Sequence, residues 1–224
     1  MISEAIVAAF HCTALMRRRD IFATDALRPI TAAEDADTAA PGWVGSRWSG
    51  GTLLVGINPG GGGDQYRRNP TDDELYSLLR AFRDALTEPA RKEALEHASR
   101  AWQRIQQGHN IWRIIAPILE ATGETPDEIA FMNILPFRTR MDRAAPASTL
   151  RQAWAQSAEP QIRALQPRRI IALGAKAWKV LSGFPSPCGA ETFLFKRGIG
   201  DSYIPTESRE LLRALAARRS GSGL

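Results

Sequence analysis

The chain has two cysteines, Cys12 and Cys188, and three histidines, His11, His97 and His109, in 224 residues. Two thiols cannot build a disulfide framework, and five such residues at unrelated spacings do not form a zinc site. No metal and no cofactor are expected. Long apolar runs are also missing: Thr52 to Pro59 and Ile111 to Leu119 fall well short of the roughly 18 residues that a membrane span needs. No membrane partner is expected. Glu4 stands early and Arg17-Arg18-Arg19 follows the apolar part of the N-terminus, the reverse of a secretory signal, which leads to the expectation of a cytoplasmic protein. Lysine is scarce: four of the 29 basic residues are lysine and 25 are arginine. Arginine's planar fork donates two parallel hydrogen bonds to phosphate, so a basic chain of this kind fits a nucleic-acid or phosphorylated partner. An Arg- and Ala-rich compositional bias would give the same numbers. The oligomeric state is not encoded in any of this, and a monomer is the working expectation.

Apolar periodicity divides the chain into alternating elements. Ile2 to Met16 has helical spacing, with the arginine run as its polar end, and Thr31 to Gly42 has too few large apolar residues for a packed segment and reads as a surface loop. Thr52 to Ile57 is a short branched run between glycines, as expected of a buried parallel strand. Thr71 and Glu74 have capping-box spacing ahead of the stripe Leu75, Leu78, Leu79, Phe82 and Leu86. A second helical region from Trp102 to Leu119 is interrupted near Gly108 and ends at Gly123. Ile129 to Leu135 forms a second strand, and Pro136 stops it. Ser148 to Gln166 is helical with a kink at Pro160, Arg169 to Leu173 is a third strand, Glu191 to Lys196 a fourth, and Thr206 to Arg219 a last helix.

Strands alternating with helices pair in parallel through right-handed crossovers, so the expected fold is α/β, a three-layer α/β/α sandwich around a mainly parallel four-stranded sheet. One domain is expected over residues 1–224: a helix and loop extension over 1–50, a core over 52–205 and a last helix over 206–219. Ligands of such sheets bind outside the carboxyl ends of the strands. His11, His97 and His109 fall in helical stretches away from those ends and are expected to be structural; Trp102, Trp112, Trp154 and Trp178 are expected in the core.

The segment Gly56-Ile57-Asn58-Pro59-Gly60-Gly61-Gly62-Gly63-Asp64-Gln65-Tyr66 follows the first strand. Its glycines leave backbone amides open to a ligand. It lacks the Gly-Lys-Ser/Thr of a P-loop, and the third glycine of a dinucleotide fingerprint would fall at Gln65.

At Gly56-Ile57-Asn58-Pro59-Gly60 the chain resembles the uracil-DNA glycosylase superfamily, whose mismatch-specific and single-strand-selective branches carry a Gly-x-Asn-Pro-Gly turn after the first core strand. Phe131-Met132-Asn133-Ile134-Leu135-Pro136 is similar to the family's second strand, and Ile170 to Ala177 to its third strand and the following helix start. The resemblance implies a base-releasing enzyme acting on a uracil or deaminated base flipped out of DNA. Asn58 would hold the attacking water, with Asp64 as an alternative activator, while Gly56, Ile57, Pro59, Gly60, Tyr66 and Asn133 would hold the base. An amide can pair with uracil O4 and N3–H together, which suits Asn133 to the base edge. Turn chemistry alone would also account for Asn58, Asn133 and Asp64. In the branch with Gly-x-Asp-Pro an aspartate matches Asn58, so a carboxylate there is expected to fit the turn.

Arg138 and Arg140 follow the second strand and could contact phosphate, or could line a solvated loop. The family's His-Pro-Ser type loop after the fourth strand is not matched: no histidine follows His109, and Lys196 to Pro205 offers Arg197 or Ser202 in its place, or simply a solvated loop. Four cysteines hold the cluster in the iron–sulfur branches, so no cluster is expected here. DNA is the expected partner. A catalytically silent nucleic-acid or nucleotide-binding protein is a further reading, as is a hydrolase or transferase acting on a small phosphorylated nucleoside.

Overall fold

A computed structural model describes residues 2–29, 33–60, 70–198 and 204–221. Helix α1 (Glu4–Ala14) begins at Ser3, whose hydroxyl accepts from the Ile6 amide at 3.4 Å. Two short helices, α2 (Arg18–Ile21) and α3 (Ala33–Asp37), lead to strands β1 (Trp43–Val44) and β2 (Thr52–Gly56). Helices α4 (Pro70–Asp84), α5 (Glu88–Gln107) and α6 (Trp112–Thr122) carry the chain to β3 (Ala130–Asn133). After α7 (Ala147–Ala153), a π-helical stretch (Trp154–Ala158) and α8 (Glu159–Leu165) comes β4 (Arg169–Leu173). Helix α9 (Ala175–Leu181), β5 (Glu191–Phe195) and α10 (Thr206–Gly221) complete the order. None of the described helices is long and apolar enough to cross a membrane.

The five strands lie in the order β1-β3-β2-β4-β5, all parallel except β1, which runs antiparallel to β3. Successive side chains of a strand point to opposite faces, and β2 is buried on both. Leu53 and Val55 pack with α1, α8 and α9 through Phe10, Ile162 and Val180, while Leu54 faces α4, α5 and α6 through Leu79, Trp102 and Ile115. Helices on both faces make the three layers expected.

The expected four strands are present, and β1 is a fifth. Two residues carry no readable period; Trp43 and Val44 become a strand only because Phe131 and Ala130 lie beside them. Gly42 permits that approach. Its φ is +117°, and a Cβ there would stand 2.1 Å from the Phe131 carbonyl oxygen. Gly42→Ala is therefore expected to lower Tm by about 5 °C or more; an unchanged melting curve would mean that the β1 edge contributes little.

The segment read as a surface loop is partly core: Ala36, Ala39 and Ala40 are buried, and buried Asp35 pairs with Arg80 at 3.0 Å. Small residues fill tight space without forming a stripe, so their burial leaves no period in the sequence. Nor is the arginine run simply a polar helix end. Arg18 is buried and donates to the carbonyls of Leu27 (2.7 Å), Arg138 (2.8 Å) and Ala36 (3.4 Å), and burial pushes its pKa down to about 10. Thr71 lies inside α4 rather than capping it, and Glu74 pairs with Arg104. Leu86 falls beyond the end of α4 and is exposed, because the helix stops at Asp84.

Candidate functional site

The carboxyl ends of β2, β3 and β4 open into a cavity of about 910 Å³. Gly56 and Asn133 are register partners at its floor. A Cβ on Gly56 would stand 2.4 Å from Asn133 Oδ1, so glycine is what lets the amide lie over the neighbouring strand end. Asn133 is 2 % exposed, and its Nδ2 is buried without a hydrogen-bond partner among the described residues. Leaving such a donor unpaired costs about 1–3 kcal/mol, which a ligand acceptor would offset. Phe131, Tyr76 and Trp102 supply the apolar wall beside it.

Beyond β2 the chain turns through Ile57, Asn58 and Pro59, tied to the end of β3 by Ile134 N–H to Gly56 O (3.0 Å) and Leu135 N–H to Ile57 O (2.9 Å). Asn58 is half-buried, and its Nδ2 donates to Thr139 Oγ1 at 3.1 Å and to the Pro59 carbonyl at 3.3 Å. Among the described residues nothing lies within 4 Å of where a Gly60 Cβ would stand.

Gly56, Ile57, Asn58, Pro59, Gly60, Asn133, Arg138 and Arg197 all line this one cavity. Arg138 is not on a solvated loop face. It is buried, pairs with Asp72 at 2.7 Å and lies 4.8 Å from the Tyr76 ring centroid. Burial pushes the Tyr76 hydroxyl up to about 12, against the pull of Arg138, so this phenol stays protonated at neutral pH. Arg140 is half-buried in a 3-10 turn (Arg140–Asp142) and is not part of the cavity wall. Arg197 is exposed and lies over Gly174, its Nε 3.4 Å from where a Cβ would be. Asp64, Tyr66 and Ser202 lie outside the described residues.

His109 departs from its expected place. It is exposed in the turn between α5 and α6 and lines the cavity with Gln106 and Asn110. Gln106 is buried, and its Oε1 accepts from the Trp43 indole at 2.8 Å, which leaves its amide nitrogen as the donor on this wall. Lys176, at the start of α9, also lines the cavity. Topology holds the missed signal: a helix that precedes a parallel strand runs against it, so the start of α6 must sit at the carboxyl end of the sheet. Among the described residues no group of three or more His, Cys, Asp or Glu side chains could hold a metal ion.

Residues 49–212, from just before β2 into α10, match the family model of the uracil DNA glycosylase superfamily. The chain belongs to this superfamily. Comparison with curated proteins gives no match. The superfamily match includes every strand end that forms the cavity and leaves out α1, α2, α3 and β1. At the level of the superfamily, the fold is that of a DNA glycosylase and the substrate class is DNA.

Proposed function

We propose that this protein is a glycosylase that hydrolyses the N-glycosidic bond of a flipped uracil or related deaminated base in DNA. The observation that carries the reading is the Asn133 amide, buried over Gly56 at the cavity floor, its nitrogen without a partner among the described residues. A flipped base could offer Nδ2 its O4 and Oδ1 its N3–H, replacing the pairing lost from the duplex. The C–N bond breaks with its electron pair leaving on the base, water forms the new C–O bond to the sugar, and the water's proton passes to the departing base or to solvent. Asn58 would orient that water, with Asp64 as the alternative activator. Gly56, Ile57, Pro59, Gly60 and Tyr66 would complete the base site. Arg138 would act within the cavity wall, with Arg140, Arg197 and Ser202 on the DNA side.

Oligonucleotides containing uracil or hypoxanthine, treated with the protein and then with alkali, test this directly. Strand cleavage at the modified base supports the reading, and intact strands with both bases overturn it. Binding without cleavage would favour a silent binding protein, the reading suggested by the absence of histidine after His109. Arginine contacts to phosphate would make binding salt-dependent. For four such contacts, affinity is expected to fall about 100-fold between 50 and 200 mM salt, as read by fluorescence anisotropy. A salt-independent affinity would point to a small-molecule substrate instead.

A further inference from the structure

Asn58 has two amide hydrogens, and both have partners: the Pro59 carbonyl at 3.3 Å and Thr139 Oγ1 at 3.1 Å. Thr139 is fully buried and lies outside the lining of the large cavity. Its hydroxyl has a single hydrogen, which goes to the Arg143 carbonyl at 2.8 Å. The hydroxyl therefore meets Asn58 with a lone pair, and only the nitrogen end of an amide can donate to it. That leaves Oδ1 as the atom of the amide not committed to these partners, on a residue that lines the cavity.

The backbone behind this arrangement is unusual. Met141 (φ +54°) and Asp142 (φ +51°) are consecutive non-glycine residues in the left-handed region, which side chains disfavour. Their turn folds the chain back, with Asp142 N–H on the Thr139 carbonyl (3.0 Å) and Arg143 N–H on the Arg140 carbonyl (3.1 Å). The return places the Arg143 carbonyl on the Thr139 hydroxyl, four residues away. Strain of this kind persists where the surrounding structure requires a particular geometry.

We propose that Thr139 is the positioning residue of Asn58, holding the amide with Oδ1 toward the cavity so that it accepts a hydrogen from the attacking water. The water then keeps a lone pair for the sugar carbon. This use of the water rests on the glycosylase reading, whereas the fixed amide does not.

Two measurements separate the two. Thr139→Val keeps the side-chain shape and removes the hydroxyl. It is expected to lower kcat for base release about 10–100-fold with KM within twofold, because a displaced nucleophile slows chemistry without weakening DNA binding. Thr139→Ser should return kcat to within about threefold of wild type. Side-chain amide NMR needs no activity: the Asn58 NH2 pair should exchange with solvent more slowly than that of exposed Asn110, and should shift in Thr139→Val while the Asn133 pair stays in place. An Asn58 pair that exchanges as fast as Asn110 in the wild-type protein overturns the proposal even if no Thr139→Val protein can be obtained. So does a Thr139→Ser variant as slow as Thr139→Val. A wild-type protein that releases no base but shows the protected Asn58 pair refutes the glycosylase reading and leaves the fixed amide standing.

Discussion

Asn58→Ala is expected to slow single-turnover base release by about 10²–10³-fold while leaving DNA binding within a fewfold of wild type. Cleavage passes through a cation-like sugar, and the water that captures it must already be in place. Alanine offers no acceptor and leaves the Thr139 hydroxyl facing a void. Release at the wild-type rate would remove Asn58 from the reaction and make Asp64 the next residue to test.

The carboxylate variant separates charge from positioning. The resemblance to the branch with Gly-x-Asp-Pro implies that an aspartate fits this turn, and two facing oxygens decide its protonation. Asn58 donates twice, to the Pro59 carbonyl and to Thr139, whereas a carboxylate would face both oxygens with lone pairs only. Facing oxygens and partial burial favour the neutral acid, so the pKa of the new aspartate is raised. Below that pKa the acid donates to Thr139 and, like the amide, only orients the water; above it the ion can take a proton. Asn58→Asp is therefore expected to run near the wild-type rate while its carboxyl is neutral and to quicken as pH rises, then level off. A flat pH profile across the neutral and mildly alkaline range would contradict this arrangement of donors.

The second large effect is expected at the cavity floor. Gly56→Ala puts a methyl group 2.4 Å from Asn133 Oδ1, and the ladder that pairs Gly56 with Asn133 prevents the backbone from moving aside. The amide must turn away, so uracil release should fall about 10–100-fold, the value of one well-formed base-edge contact. Asn133→Asp should be worse, since it places a carboxylate in a buried position and turns the donor toward O4 into an acceptor. Both variants should keep the nonspecific, salt-dependent binding to DNA. If Gly56→Ala releases uracil within twofold of wild type, Asn133 does not read the base edge.

The alternation of elements was legible because every buried parallel strand is a short apolar run and every covering helix carries a stripe. Thr52 to Gly56, Ala130 to Asn133, Arg169 to Leu173 and Glu191 to Phe195 are strands that their local sequence specifies. The turn Gly56 to Gly60 and Asn133 were legible as neighbours lining one cavity for a related reason: strand ends on one edge of a parallel sheet converge whatever the details of packing. Residues whose role depends on a distant partner carry no such local signal. Arg18 looks like a solvated cation until three carbonyls surround it, and Arg138 like a loop residue until Asp72 and Tyr76 close over it.

By itself, then, the sequence determined the layer architecture and the edge of the sheet at which Asn58 and Asn133 stand, because periodicity and turn chemistry are local. The tertiary structure decided which partners those amides meet. Register set Asn133 against Gly56, and a turn eighty residues downstream brought Thr139 to Asn58. An amide's direction depends on which partner takes its hydrogens, and a partner far away in the chain is supplied only by folding.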